Sequence, residues 1–204
     1  MKLFYKPGAC SMAAHLLLNE AGAEYSLEKV DTSAGLTETG ARFAETNPRG
    51  YVPALQFENG DILTENVAIL HWLGEHYPGF SSDKAGLPID RFRLLELLSF
   101  LSSELHKAFS PYFSGKDFSD AEKAELQGKL DAKLTQFDAF LQKGGDYLFG
   151  DTFSVADAYA FVILNWTNFI GVSLDAWPKT KAYLARIGAR PAAQKTLTEE
   201  GLAA

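Results

Sequence analysis

The sequence of 204 residues contains one cysteine and four histidines, and this scarcity excludes several classes of protein. A single cysteine cannot build a disulfide framework, so a disulfide-stapled secreted fold is excluded and a reducing cytoplasm is the expected location. The four histidines are scattered, and together with one cysteine they make no recognisable zinc-binding spacing. We therefore expect no metal site. A glycine-rich phosphate loop is missing as well.

Long hydrophobic runs and clusters of basic residues are also missing. The longest uninterrupted apolar run, Ala158–Leu164, is far shorter than the ~20 residues that a membrane span requires. The first residues, MKLFYKPG, do not form a hydrophobic signal segment. The net charge is −7, whereas nucleic-acid binding depends on clustered Lys and Arg. We therefore expect neither a membrane nor a nucleic acid as a partner.

The first 77 residues alternate strand-like and helical patterns, and Asn59-Gly60 is a strong hairpin signal between two strand-like runs. The order of elements, βαβ, a short helix and ββα, is typical of a thioredoxin-like α/β domain. The predicted elements are strands at Lys2–Tyr5, Tyr25–Val30, Ala54–Phe57 and Asp61–Leu63, and helices at Ser11–Ala21, near residues 40–46 and at Glu65–His76.

Strand signals disappear after a linker rich in Pro, Gly and Ser at residues 78–87. Residues 88–204 predict a second, all-helical domain, a bundle without internal repeats. Its predicted helices are Ile89–Phe109, Ala121–Gln142, Val155–Phe169, Trp177–Ile187 and a short one after Pro191.

The single thiol, Cys10, follows the first strand and a tight turn at Pro7-Gly8, which predicts a place in the first turn of a helix. Unpaired N–H groups and the positive end of the helix dipole favour an anion there, so we expect the thiol pKa to be lowered. The sequence CSMA lacks the second cysteine of a C-x-x-C motif, so this thiol would pair with an external small thiol. A buried, inert cysteine is an equally good interpretation of this residue alone.

The first long helix of the second domain carries a polar stripe opposite its apolar face. The stripe is small and hydroxylated, which suits the wall of a cleft, although a quiet solvent or subunit-contact face has the same pattern. The predicted apolar face is Leu94, Leu97, Leu101, Leu105 and Ala108, and the stripe is Ser99, Ser103, His106 and Ser110, with Lys107 adjacent.

Five segments together resemble the bacterial beta-class glutathione S-transferases, over essentially the whole chain. They are MKLFYKPGACSMAAHL, NPRGYVPAL, LTENVAILHWL, ELHKAFSPYF and FSVADAYAF. The resemblance implies a homodimer in which the first domain binds glutathione, the co-substrate, and the helical domain holds a hydrophobic electrophile. It implies Cys10 and His106 as catalytic residues. Thiol-disulfide exchange through Cys10 is a second reaction, and a non-catalytic binding or scaffold protein of the same fold is the alternative.

The resemblance also implies the residues that contact glutathione. A cis Val52–Pro53 peptide bond would present the Val52 backbone to the cysteinyl unit, and Glu65 with the start of the next helix would hold the γ-glutamyl ammonium and carboxylate. By pattern alone, Glu65 is an ordinary acidic residue at a helix start and Ser11 an ordinary N-cap. The implied glutathione-binding residues are Ser11, Tyr51, Val52, Pro53, Glu65, Asn66, Ser103 and Lys107.

Other residues have weaker assignments. Trp166 and Phe169 are core residues by pattern, but they are also candidates to border the electrophile pocket. Tyr5 is expected in the core, His15 is either a core histidine or a support to the site, and Ser154 to Asp157 reads as a capping box. The chain departs from the family pattern at Gly35, Tyr51, Asn66 and Ser99.

Overall fold

The computed structural model describes residues 1–81, 88–141 and 145–203. The first half contains β1 (Lys2–Tyr5), α1 (Met12–Glu20), β2 (Ser26–Asp31), β3 (Leu36–Thr37), a 3-10 turn (Phe43–Glu45), β4 (Ala54–Gln56), β5 (Ile62–Thr64) and α2 (Asn66–His76). The second half contains α3 (Pro88–Phe100), a π-helical turn (Leu101–Leu105), α4 (His106–Phe109), a 3-10 turn (Ser110–Phe113), α5 (Asp120–Phe140), α6 (Val155–Ile170), α7 (Pro178–Gly188) and α8 (Pro191–Glu199).

The first half is a mixed five-stranded sheet in the order β3-β2-β1-β4-β5. β1 runs parallel to β2 and antiparallel to β4, and β4 and β5 form the predicted hairpin around Asn59-Gly60. The thioredoxin-like prediction is confirmed. The edge strand β3 was not predicted, because Leu36–Thr37 is too short to show an alternating pattern.

The second half is all helical, as predicted, but its first long helix is not a regular α-helix. A π-helical turn lies between α3 and α4 and adds a residue to the helical repeat. The buried face differs from the predicted one both before and after this turn. Leu98 and Phe109 are fully buried, whereas the predicted Leu97 and Ala108 are only partly buried. Linker residues 82–87 and the predicted helix end at Gln142 lie outside the described residues, and the domain boundaries stay a prediction.

One large hydrophobic core joins the two halves. Helix α6 is buried around most of its circumference, as expected for a central helix, and α1 packs against both α6 and α8. A smaller cluster around Phe4, Val30 and Phe43 covers the other face of the sheet.

Across residues 1–81, 88–141 and 145–203, none of the helices combines the length and hydropathy of a membrane span.

Candidate active site

The turn between β1 and α1 places Cys10 where the two halves meet. Gly8 has a φ of 71°, and a Cβ at this position would lie 3.6 Å from the Leu202 side chain. The Gly8 peptide is held from both sides, because Trp166 Nε1 donates to its carbonyl (2.8 Å) and its N–H donates to a Glu200 carboxylate oxygen (2.8 Å). Residues from α6 and from the end of α8 therefore fix the turn that carries Cys10.

The structure contradicts the predicted ionisation of Cys10. Cys10 lies one residue before the N-cap of α1, outside the first turn, and its Sγ is 3.5 Å from the Val52 carbonyl, to which the thiol donates. Burial raises the pKa of the Cys10 thiol to about 11, since loss of solvation outweighs the lowering effects of the backbone N–H groups and of Lys107. Cys10 is therefore a neutral hydrogen-bond donor at pH 7.

His106 lies opposite Cys10 and is also uncharged. Its Nδ1 is 2.8 Å from the Tyr159 hydroxyl, and its ring packs edge-on against Trp166 with centroids 4.7 Å apart. Burial, together with a smaller contribution from the adjacent Lys107, lowers the pKa of His106 to about 4. The polar stripe is thus the wall of a cleft at His106, where a histidine that is neutral at pH 7 can donate or accept a proton in a hydrogen bond.

Two cavities meet at Cys10 and His106, which line both of them. The first, about 420 Å³, has a mostly apolar wall that includes the predicted Trp166 and Phe169. The second, about 540 Å³, lies between α2 and the helical domain, and seven of the eight predicted glutathione-binding residues line it. Those seven are Tyr51, Val52, Pro53, Glu65, Asn66, Ser103 and Lys107. The predicted cis Val52–Pro53 bond is confirmed.

Polar groups at the start of α2 face the second cavity. Glu65 has a φ of 70°, a backbone conformation that costs a non-glycine residue about 1–3 kcal/mol. Its carboxylate accepts a hydrogen bond from the Tyr51 hydroxyl (2.7 Å) and lies 3.6 Å from the Arg49 guanidinium. Asn66 is only 8% exposed, yet neither polar atom of its amide has a partner among the described residues. A buried amide without partners points to a ligand that supplies them.

Ser11 does not take the predicted place in the glutathione site. Its side chain is fully buried and lines neither cavity, and its hydroxyl both accepts from the Lys6 N–H (3.2 Å) and donates to the Lys6 carbonyl (3.3 Å). Although Ser11 is the N-cap residue of α1, its side chain makes no capping hydrogen bond. The hydroxyl closes the turn before Cys10, because burial leaves it no other partner.

Three further expectations concern buried residues outside the two cavities. Tyr5 belongs to the main hydrophobic cluster, as predicted. His15 is buried, and its two ring nitrogens lie 2.9 Å from Glu200 and 2.8 Å from Glu199. His15 thus links α1 to the same carboxylate that holds the Gly8 turn. Ser154 and Asp157 form the predicted capping box.

Several residues of the two cavities were missed by the sequence interpretation. Tyr159 was hidden because it lies in an apolar helical run that reads as core. Nothing in the pattern around Phe113 or Leu202 distinguishes them from packing residues. The cavity residues missed are Ser102, Val67 and Tyr159 in the second cavity, and Lys6, Pro7, Gly8, Ala9, Phe113 and Leu202 in the first, whereas Ser110 of the first cavity belongs to the predicted polar stripe. In the part of the chain that the structure describes, no group of three His, Cys, Asp or Glu side chains is placed to hold a metal ion.

Comparison with known proteins gives the same family over most of the chain. Residues 8–76 match the family model of the glutathione S-transferase N-terminal domain, and residues 100–191 match that of the C-terminal domain. The chain is 37% identical to glutathione S-transferase GstA of Escherichia coli O157:H7, over 99% of this chain and 100% of that protein.

Solved structures agree with this result. The glutathione S-transferase of a sphingomonad, complexed with glutathione, superposes with a TM-score of 0.90 at 43% identity and covers 100% of both chains. The bacterial beta-class glutathione S-transferase of Sphingomonas chungbukensis gives a TM-score of 0.89 at 41% identity, over 99% of this chain and 100% of that chain.

Proposed function

This chain belongs to the glutathione S-transferase family, and we propose that it joins glutathione to hydrophobic electrophiles at the junction of its two cavities. The chain is a glutathione S-transferase, an enzyme whose fold and family are those of the beta-class proteins. The first cavity, lined mostly by apolar groups, is the apolar cavity, and the second, whose lining includes Glu65, Asn66 and Lys107, is the polar cavity. The observation that carries the proposed site is that these two cavities share Cys10 and His106. A peptide thiol in one cavity and an apolar electrophile in the other would meet at these two residues.

Glutathione fits the polar cavity by the chemistry of its lining. The Glu65 carboxylate can accept from the α-ammonium group of the γ-glutamyl unit, and the unpaired Asn66 amide can bind its carboxylate. The Lys107 ammonium can offset another carboxylate of the tripeptide. In this proposal the Val52 backbone pairs with the cysteinyl unit, while Tyr51 and Ser103 complete the wall.

The chemistry requires that the glutathione thiol lose its proton, which passes to solvent water. The sulfur then forms a bond to the electrophilic carbon, and the leaving group departs with the bonding electrons. A thiolate is stabilised by hydrogen-bond donors aimed at it. The protonated Cys10 thiol and the neutral His106 imidazole are donors of this kind. The apolar cavity, bordered by Trp166 and Phe169, would hold the electrophile.

The raised pKa of Cys10 favours conjugation over thiol-disulfide exchange. Exchange needs Cys10 itself as the attacking thiolate, which burial disfavours in the unliganded protein. A mixed disulfide between Cys10 and glutathione stays part of the proposal as a minor reaction. A non-catalytic scaffold is not favoured, because Cys10, Glu65 and His106 all line the same cavity.

Two assays on the same variants test this function. We expect the wild-type protein to conjugate glutathione to an aryl halide. Cys10→Ala should keep conjugation within about tenfold, since it removes one hydrogen bond, but should lose the reduction of a small glutathione mixed disulfide. His106→Ala should lower conjugation about 100-fold as a main donor is lost. A wild-type protein that neither binds glutathione in calorimetry nor conjugates it would refute the proposal.

The proposal includes a homodimer in the cytoplasm. Phe92 on α3 is 62% exposed, which suits an apolar contact with a second copy of the chain. Sedimentation should therefore give twice the monomer mass of 22.4 kDa. The cytoplasmic location in this proposal rests on the single cysteine.

A further inference from the structure

Tyr159 is a buried polar residue that the sequence interpretation did not connect with the site. It lies on the central helix α6 and is only 1% exposed, yet it lines the polar cavity beside Asn66 and Cys10. Its hydroxyl is 2.8 Å from His106 Nδ1, and this is its only hydrogen bond within the described residues. A single contact thus links the core of the helical domain to the imidazole between the two cavities.

The direction of this hydrogen bond follows from where the Tyr159 hydroxyl proton and the single proton of the neutral His106 imidazole can lie. Burial raises the pKa of Tyr159 and lowers that of His106 to about 4, so both groups are neutral at pH 7. If Nδ1 carried the imidazole proton, it would donate to Tyr159, and the buried hydroxyl proton would have no acceptor among the described residues. An unpaired buried donor costs about 1–3 kcal/mol. The hydroxyl therefore donates to Nδ1, and the imidazole proton lies on Nε2.

The Asn66 amide is another polar group beside the Tyr159 hydroxyl. It lowers the pKa of this hydroxyl against the larger effect of burial, but the contact does not have the geometry of a hydrogen bond. The other ionisable groups that face this pair are Cys10, Glu65 and Lys107.

We propose that Tyr159 is the positioning residue that holds His106 in the tautomer protonated at Nε2, so that this nitrogen donates to the sulfur of bound glutathione. The opposite tautomer would present a lone pair at Nε2, which repels a thiolate. Tyr159 acts through His106 and does not touch the reacting atoms in this scheme. The inference rests on the proposed function, because it assigns His106 the glutathione sulfur as its partner.

The tautomer can be measured directly in the unliganded protein. Long-range ¹H–¹⁵N spectra of protein labelled in its histidine nitrogens distinguish Nδ1–H from Nε2–H. We expect His106 to be the Nε2–H tautomer in wild type and a mixture in Tyr159→Phe. A wild-type Nδ1–H tautomer, or an unchanged spectrum in a folded Tyr159→Phe, would overturn the inference. The wild-type spectrum decides even if the variant does not fold.

Kinetics provide the functional test, with Tyr112→Phe as the matched control. The Tyr112 hydroxyl is 3.5 Å from Gln127 and lines neither cavity, so its loss should leave activity unchanged. Tyr159→Phe should lower kcat about 10- to 100-fold with little change in the KM for glutathione. It should also raise the apparent pKa of the bound glutathione thiol, followed by thiolate absorbance.

The outcomes separate the two proposals. A wild-type protein without transferase activity would refute the proposed function, while the tautomer would still be measurable. An active wild type with an equally active Tyr159→Phe and an unshifted thiol pKa would refute the role of Tyr159 alone.

Discussion

Burial, more than the nearby helix start, decides the charge of the two residues at the junction of the cavities. The N–H groups at Cys10 and Ser11 lower the thiol pKa, as helix-start chemistry predicts, but loss of solvation is larger and the net pKa rises. His106 is neutral for the same reason. Both residues are therefore donors without charge. They can donate hydrogen bonds to a bound anion, and neither residue carries a charge that would have to be buried beside that anion.

The first prediction concerns the reactivity of Cys10. In the unliganded protein its alkylation rate by iodoacetamide should keep rising with pH through pH 9, because the thiol pKa is about 11. Mass spectrometry of the adduct against pH measures the midpoint. Cys10→Ala is the control, since Cys10 is the only cysteine in the sequence. A midpoint below that of an ordinary thiol, ~8.5, would contradict the neutral assignment.

The second prediction concerns His106 and the pH dependence of stability. The folded protein protonates His106 only near pH 4, whereas the unfolded chain does so near pH 6.5. Between these pH values the unfolded state binds a proton at His106 that the folded state does not bind. The contribution of His106 to the unfolding free energy is therefore fully present above pH 6.5 and is lost as the pH falls. Between pH 7.5 and pH 5 the wild type should lose about 2 kcal/mol more unfolding free energy than His106→Gln. Urea titrations at both pH values measure this. Equal losses would contradict the prediction.

At the scale of elements, two helices begin with the same motif in different surroundings. Helix α5 starts with an exposed capping box between Ser119 and Glu122, and α6 with a buried one between Ser154 and Asp157. Asp157 accepts hydrogen bonds from the Leu148 N–H, the Ser154 N–H and hydroxyl, and the Tyr183 hydroxyl. The buried box thus ties α7 and the preceding loop to the start of the central helix.

The third prediction compares these two boxes. Asp157→Ala should lower the unfolding free energy by about 3–5 kcal/mol, because it leaves several buried donors without an acceptor. Glu122→Ala should cost at most about 1 kcal/mol, because water replaces the lost partner. Urea unfolding of both variants tests the difference. Similar losses would show that burial does not set the strength of the motif.

At the scale of the whole molecule, the two halves are joined by close packing. Gly74 on α2 lies against α6, and a Cβ there would be 2.9 Å from the Val155 side chain, which is fully buried. Helices α2 and α6 belong to different halves, so this contact is part of the interface between them. The close approach requires a residue without a side chain.

The fourth prediction tests this interface. Gly74→Ala should lower the unfolding free energy by about 1 kcal/mol, since overpacking outweighs the gain in helix propensity. The matched control is Gly128→Ala on α5, which has open space around it and should gain up to about 1 kcal/mol. Thermal unfolding of both variants measures whether each substitution lowers or raises the unfolding free energy. A stabilised Gly74→Ala would mean that Val155 moves aside at no cost.

Local pattern was sufficient for most of the fold. The short apolar run in Lys2–Tyr5, the Asn59-Gly60 turn and the capping box at Ser154 are short-range signals, and each corresponds to an element of the structure. The two-residue strand β3 and the π-helical turn at Leu101–Leu105 had no such signal. Both depend on packing against neighbouring elements, which a pattern of single residues does not contain.

The family, the order of the elements and most of the residues around the polar cavity could be predicted without the structure, because these depend on motifs whose residues are close along the chain. The folded chain was needed to find that Cys10 is neutral, that Ser11 contacts Lys6, and that Tyr159 contacts His106. Each of these facts depends on burial or on contact between distant segments. Desolvation is a property of everything packed around a group, so it cannot be deduced from the residues beside that group in the chain.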